Sequence, residues 1–246
     1  MRPDASRKLA TVTPRGGPNP VIIGAVIAAV LIVGVGVAIL IGSNSKSESG
    51  SGSSAQPVGV VGGTGGGILA NSATAKSNAP TLDIYLDFQC PACGQFEKEM
   101  GPQITSMAKA GEVKLVMHTL SFLDANLKND SSTRSANAAA CAADVGKFLE
   151  YHTAVFAAQP AQEGVGYSDA ELTELAKAVG ITGEASTTWQ KCTSSGQHVQ
   201  YVADVQTAAE KAGVFGTPTV KLNGQDITKT LSTADALVAA VRAATK

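Results

Sequence analysis

Residues 81–97 read TLDIYLDFQCPACGQFE, and this stretch decides the fold. Its first eight residues alternate polar and apolar side chains, which predicts a strand with one buried face. The strand runs directly into the motif Cys90-Pro91-Ala92-Cys93, after which apolar residues recur at helical spacing. Pro91 suits the first turn of a helix because the N–H that it lacks would have no partner there. The sequence therefore predicts a strand followed by a helix that begins at the cysteine pair.

The position of the two cysteines indicates redox chemistry. A thiol at a helix N-terminus lies beside unpaired N–H groups and the positive end of the helix dipole, so its pKa falls. We expect Cys90, the outer residue, to be the nucleophile in disulfide exchange. Cys93 lies one turn deeper and can close on Cys90 to resolve a mixed disulfide.

Other uses of this cysteine pair remain open. A structural zinc site needs four ligands, and Cys141 and Cys192 do not form a second CxxC half. The chain has only three histidines, so no zinc site is predicted. A copper site on Cys90 and Cys93 and a purely structural disulfide remain as alternatives, although a loop this small gives little entropic stabilisation.

A second informative segment lies far downstream, at residues 214–227. It reads as a strand, an Asn-Gly turn at Asn223 and Gly224, and another strand. Pro218 would stand at the first position of the first strand, where a missing N–H is tolerated. A final amphipathic helix is predicted after residue 232.

These motifs together resemble the thioredoxin fold. The stretch from Asp87 to Cys93, followed by Phe96 and Glu97, is similar to the DsbA-like thiol–disulfide oxidoreductases, specifically the membrane-anchored actinobacterial type. The resemblance covers roughly residues 67–246 and is strong at both motifs and at Ser121-Phe122-Leu123-Asp124. It implies an α/β thioredoxin fold with an inserted helical domain at about 126–212, which would roof the active-site groove.

The resemblance also implies roles for the downstream loop. Thr217–Pro218 should be a cis peptide packed against the cysteine pair, with backbone beside it that pairs with an extended substrate segment. One departure is that Pro91-Ala92 lacks the histidine found between the cysteines of strongly oxidising members. A donor that would stabilise the thiolate is thus missing, which puts a strongly oxidising potential in doubt.

The remaining candidate residues lie at the strand end and in the insert. Asp87, three residues before Cys90, is either a proton acceptor during exchange or a polar strand-end residue. Cys141 and Cys192 fall in separate predicted helices, one of them an alanine-rich helix over Ser135–Gln159. In an oxidising compartment they favour a structural disulfide, the alternative being two buried thiols. No catalytic role is predicted for any histidine.

The N-terminal region indicates a membrane anchor. Residues 21–41 contain only Val, Ile, Ala, Leu and Gly, and as a helix they would be about 30 Å long, enough to cross a bilayer. The tail at residues 1–20 carries four basic side chains against one acidic one, so it should remain cytoplasmic. Residues 42–66 are predicted to form a flexible linker. A cleaved signal peptide is the alternative, but the apolar run is long for one.

Composition and location together limit the function. The 246 residues carry 19 basic and 20 acidic side chains, which argues against a broad nucleic-acid surface. We expect an extracytoplasmic oxidoreductase, an oxidase of exported cysteine-containing proteins that a membrane redox partner reoxidises. It would be a monomer and need neither organic cofactor nor metal, because the sulfurs carry the electrons. A disulfide reductase, a copper-handling protein and a non-catalytic polypeptide-binding module are the alternatives.

Overall fold

The computed structural model describes residues 55–245. The predicted cytoplasmic tail, the predicted transmembrane helix at residues 21–41 and residues 42–54 of the predicted linker lie outside this part. Among the residues described, no helix has both the length and the apolar character needed to cross a membrane.

A mixed five-stranded sheet forms the centre of the described region, in the order β1-β3-β2-β4-β5. The strands are β1 (Ile68–Leu69), β2 (Thr81–Leu86), β3 (Lys114–Thr119), β4 (Thr219–Leu222) and β5 (Gln225–Asp226). The central strand β2 runs parallel to β3 and antiparallel to β4. Ile84 on β2 lies opposite Met117 and Val220, and all three side chains are buried. The alternating pattern of the sequence therefore produces the predicted central strand.

Eight α-helices accompany the sheet within residues 55–245. They are α1 (Pro91–Lys109), α2 (Leu123–Leu127), α3 (Ser131–Asp144), α4 (Phe148–Ala157), α5 (Asp169–Ala178), α6 (Gly183–Ser194), α7 (Val199–Lys211) and α8 (Ala234–Ala244). Helix α1 begins directly after Cys90 and runs through Pro102. Its apolar face, including Met100, Ile104 and Met107, is buried in the core. This packing fixes the first turn of α1, and with it the cysteine pair.

Helices α2 to α7 lie between β3 and β4, at the place of the expected helical insert. The prediction of one continuous helix over Ser135–Gln159 is wrong, because α3 ends at Asp144 and α4 begins at Phe148. Gly146 between them adopts φ +69°, a left-handed conformation that ends a helix readily when the residue is glycine. Gly196, with φ +62°, separates α6 from α7 in the same way.

The hairpin near the C-terminus follows the sequence pattern closely. Asn223 and Gly224 join β4 to β5 with φ values of +49° and +81°. Positive φ at both positions is the requirement of a type I′ turn, which Asn-Gly meets with little strain. The hairpin places Pro218 directly before β4, beside the end of β2 that leads to the cysteines.

The described half of the predicted linker is hydrogen-bonded to the domain. Val60 forms a β-bridge with Ile68, and the N–H of Val58 donates to the carboxylate of Asp144 at 2.9 Å. The hydroxyl of Tyr201 donates to the carbonyl of Gly66 at 2.9 Å. The packed domain therefore begins before residue 67.

Candidate active site

The two cysteines of the CxxC motif lie at the junction of β2 and α1. Cys90 is the N-cap residue of α1 with extended backbone angles, and Cys93 lies in the first turn. The N–H groups of Cys93 and Gly94 both donate to the carbonyl of Cys90 at 3.1 Å. Both cysteines are free thiols; Cys93 is fully buried, whereas Cys90 retains 8% of its surface. Cys90 is therefore the more exposed of the two cysteines.

The two thiols have opposite acidities. The pKa of Cys90 is lowered to about 6, chiefly because the Cys93 thiol hydrogen-bonds to its sulfur, with help from the N–H groups of Ala92 and Cys93. Burial opposes this effect. The pKa of Cys93 is raised, chiefly by burial and then by the neighbouring Cys90. The pair thus combines a reactive thiolate with a thiol that keeps its proton.

The loop before β4 covers the cysteine pair. The Thr217–Pro218 peptide bond is cis. The carbonyl oxygen of Thr217 lies 3.6 Å from the Cys90 sulfur and accepts from its thiol. Two residues before Thr217, the Phe215 side chain is 83% exposed. The loop thus contacts the Cys90 sulfur through Thr217 and carries an exposed apolar ring at Phe215.

Asp87 is completely buried below this loop. Its Oδ1 accepts from the Ser132 hydroxyl at 2.6 Å and from the Gln89 N–H at 2.9 Å, and its Oδ2 accepts from the Leu123 N–H at 3.3 Å. Burial raises the pKa of Asp87 to about 6, and the Ser132 hydrogen bond is the largest influence in the other direction. The backbone N–H of Asp87 hydrogen-bonds to the Cys93 sulfur. A carboxyl group with a raised pKa thus lies on the residue whose backbone N–H contacts the Cys93 sulfur.

A buried polar network connects Asp87 to the helical insert, and sequence reasoning missed it. The Gln89 side-chain amide donates to Asp124, Asn129 and Ser132 at 2.9–3.0 Å. Asp124 in turn accepts the N–H of Ser132 at 2.8 Å, at the start of α3. The segment 121–124 had been singled out by resemblance, but nothing local in the sequence links Gln89 to Ser132.

Two more side chains from the insert hold the active-site loop. Gln159 Nε2 donates to the carbonyls of Phe88 and Cys90, both at 2.9 Å. The hydroxyl of Tyr167 lies 3.2 Å from the same Phe88 carbonyl. Beside them a groove of about 880 Å³ runs between α1 and the end of α4. Pro91, Gly94, Phe156 and Gln159 are among the residues that line it.

Cys141 and Cys192 form a disulfide that joins α3 to α6. This is the first of the two alternatives that the sequence left open. The sulfurs and a nitrogen of His198 lie within 4.8 Å of one another, close enough for a shared metal ion. Because the two sulfurs are bonded to each other, neither offers a thiolate ligand. The arrangement in the structure is therefore a covalent cross-link between helices.

Each histidine pairs with a carboxylate. His118, His152 and His198 lie 3.0, 3.1 and 2.7 Å from oxygens of Asp83, Glu97 and Asp144, respectively. His152 and His198 are each only 1% exposed. None of these pairs includes a cysteine of the CxxC motif.

Known proteins share this fold. A family model described as Thioredoxin matches residues 73–243. The oxidised DsbA of Mycobacterium tuberculosis is 31% identical, with a TM-score of 0.59 over 70% of this chain and 91% of its own. The reduced DsbG of the same species is also 31% identical, with a TM-score of 0.58 over 69% of this chain and 85% of its own.

Two further proteins match at lower sequence identity or over a smaller part of their own length. MdbA, a thiol-disulfide oxidoreductase from Actinomyces oris, is 24% identical with a TM-score of 0.59, covering 68% of this chain and 82% of its own, and supports the fold alone. The serine/threonine-protein kinase PknE of Mycobacterium tuberculosis is 31% identical over 153 residues, 59% of this chain. The chain spans about a quarter of the length of that curated relative.

Proposed function

The chain belongs to the thioredoxin family, among the DsbA-type thiol–disulfide oxidoreductases, and from that membership we propose that it oxidises cysteine pairs in exported proteins. The observation that carries this proposal is the placement of the two thiols at the start of α1. Cys90 is the N-cap residue and Cys93 is buried in the first turn, which lowers the pKa of the first and raises that of the second. A stabilised Cys90 thiolate favours the dithiol form of the enzyme, so the enzyme's disulfide passes readily to a substrate.

The oxidase cycle has two exchange steps. A substrate thiolate attacks the Cys90 sulfur of the Cys90–Cys93 disulfide, a mixed disulfide forms, and Cys93 leaves as a thiolate that takes up a proton. The second substrate thiolate then attacks its own partner sulfur in the mixed disulfide, and Cys90 leaves as the thiolate. Two electrons pass from the substrate dithiol to the enzyme, and a membrane redox partner accepts them when the pair is reoxidised.

Asp87 is the proposed proton carrier for Cys93. Its carboxyl group is buried, has a pKa near neutrality and belongs to the turn that contacts the Cys93 sulfur. It can therefore give a proton to Cys93 when that residue leaves and remove one when Cys93 attacks. Asp87→Asn should slow the attack of Cys93 on a mixed disulfide at Cys90, which re-forms the Cys90–Cys93 disulfide, about a hundredfold at pH 7, measured by stopped-flow exchange.

The substrate would bind as an extended segment beside Thr217 and Pro218. The Thr217 carbonyl already faces the Cys90 sulfur, and extended backbone there can pair with a peptide strand. The exposed ring of Phe215 offers an apolar contact for an unfolded chain. No organic cofactor and no metal take part in the proposed cycle. We propose that the protein acts as a monomer.

The proposed location is outside the cytoplasm, anchored by one membrane helix at residues 21–41 with the tail at residues 1–20 inside. The 21-residue apolar run and the basic tail support this topology. Labelling with a membrane-impermeant amine reagent in intact cells tests it. Lysines after residue 66 should react, whereas Lys8 should react only after the cells are opened.

The direction of electron flow has its own experiment. The full-length chain, purified in mild detergent and oxidised at Cys90–Cys93, is mixed in equal amounts with a reduced, unfolded secreted protein that contains several cysteines. We expect substrate disulfides to form as free thiols appear at Cys90 and Cys93. Insulin reduction by the dithiol form, with no oxidation of the unfolded substrate, would instead establish a reductase.

A further inference from the structure

Gln159 reaches the active-site loop from the helical insert. It follows α4, and its amide group faces the turn that carries Cys90. One nitrogen, Nε2, donates to the carbonyls of both Phe88 and Cys90 at 2.9 Å. These carbonyls flank Gln89, so a single side chain holds both ends of the short segment that leads into α1.

The Cys90 carbonyl also accepts hydrogen bonds from the first turn of α1. It accepts the N–H groups of Cys93 and Gly94, which closes the first turn of α1. The backbone N–H groups of Ala92 and Cys93 in the same turn lower the pKa of Cys90. The Cys90 carbonyl is therefore hydrogen-bonded both to Gln159 and to the turn that supplies these donors.

Gly94 has a geometric reason to be glycine. A Cβ placed on it would overlap the Oε1 atom of Gln159. Its backbone is helical, so the missing side chain is needed for the close approach of Gln159 and not for an unusual φ. Gly94 and Gln159 thus form a matched pair across the groove between α1 and α4.

We propose that Gln159 is a positioning residue for disulfide exchange: its amide holds the carbonyls of Phe88 and Cys90 so that the first-turn N–H groups of α1 stay directed at the Cys90 sulfur. This role rests on the proposed function of Cys90 as the nucleophile. Gln159 does not touch the reacting sulfur and acts through the loop.

The test replaces the donor while retaining the shape. Gln159→Met keeps a long unbranched side chain but cannot donate, and Gln162→Met makes the same change at an exposed position three residues further on. In each reduced full-length variant, the ionisation of Cys90 is measured from the pH dependence of its alkylation rate, with the modified peptide identified by mass. We expect the ionisation constant to fall about fivefold in Gln159→Met and to stay unchanged in Gln162→Met.

A second variant changes Gly94, the residue that Gln159 approaches in this contact. Gly94→Ala should displace Gln159 and lower the Cys90 ionisation constant in the same way, although alanine is the better helix former. The double variant should show no more than the larger single effect, because both changes remove one interaction. This coupling is a result that a general loss of stability would not give.

The outcomes separate this inference from the proposed function. If the unaltered chain exchanges disulfides with glutathione but Gln159→Met and Gly94→Ala leave Cys90 ionisation unchanged, the positioning role is wrong. Additive effects in the double variant would also overturn it. If the unaltered chain shows no exchange at all, the proposed function fails whatever the variants do.

Discussion

The two cysteine pairs of this chain differ in nearly every physical respect. Cys90 and Cys93 are separated by two residues at the start of a helix and are free thiols. Cys141 and Cys192 are 51 residues apart, lie on two packed helices and are bonded to each other. The surroundings of the sulfur therefore determine whether a cysteine pair serves redox exchange or forms a structural cross-link.

The surroundings differ in hydrogen-bond donors and in access. The Cys90 sulfur has a thiol and two backbone N–H groups directed at it, and part of its surface is open. Cys141 is 0% exposed in an alanine-rich helix, and Cys192 is 3% exposed. A thiolate from solution can reach the first pair but not the second, so redox exchange should be confined to Cys90 and Cys93.

The largest expected effect comes from the catalytic pair itself. Cys90→Ser removes the nucleophile and should lower the rate of disulfide exchange more than about a thousandfold. Cys93→Ser leaves the nucleophile without its resolving partner, so mixed disulfides with substrate should accumulate. Non-reducing gels and mass spectrometry of the trapped species measure both results. A Cys90→Ser variant that still exchanges would break the proposed contrast between the pairs.

The second pair should affect stability and not exchange. Replacing Cys141 and Cys192 together by alanine opens a loop closed across a sequence separation of 51, and should lower the free energy of unfolding by about 4 kcal/mol. Urea denaturation measures this change. Disulfide exchange at Cys90 should remain within about twofold of the unaltered rate. A large loss of exchange in a folded double variant would show that the pairs are coupled.

Each pair also has a carboxylate neighbour, and Asp87 should impose a pH dependence on stability. Its pKa is raised from 3.8 to about 6, so between pH 4 and 6 the folded state binds more protons than the unfolded state. The free energy of unfolding should therefore fall by about 3 kcal/mol as pH rises through that window.

The matched measurement is urea denaturation of the oxidised chain and of Asp87→Asn from pH 4 to pH 7. The difference in free energy of unfolding between the two proteins should change between pH 4 and pH 6, with the variant gaining relative stability as pH rises. Parallel curves would mean that Asp87 titrates normally.

The smallest effect concerns the hydrogen bond from Ser132 to Asp87. Ser132→Ala removes a donor to the carboxylate, so the pKa of Asp87 should rise further and the pH window should move upward by about one unit. Ser135→Ala is the control, because Ser135 is equally buried on α3 but donates to the backbone carbonyl of Ser131. Equal shifts in the two variants would show a general packing effect.

Local patterns in the sequence were sufficient for the elements that carry the reactive sulfurs. The alternating strand, the CxxC motif at a helix start and the Asn-Gly turn each specify short-range geometry, and the structure has all three. The capping box of Ser168 and Glu171 at the start of α5 is another short-range feature of this kind. These features depend on residues within a few positions of one another.

The sequence patterns did not predict contacts between residues that lie far apart in the chain. Gln159 lies about 70 residues from the Cys90 carbonyl that it binds, and Ser132 lies 45 residues from Asp87. No periodicity or motif marks either residue. The break between α3 and α4 was missed because alanine-rich helical spacing continues on both sides of Gly146. The left-handed conformation of this glycine ends α3.

The redox equilibrium of the full-length chain tests the central claim most directly. The protein is equilibrated in graded glutathione buffers and acid-quenched, and each cysteine pair is assigned by alkylation and peptide mass. We expect Cys90–Cys93 to titrate reversibly with a midpoint between about −120 and −180 mV, while Cys141–Cys192 stays oxidised throughout. A Cys90–Cys93 pair that never exchanges, or a second pair that titrates with it, would contradict the account.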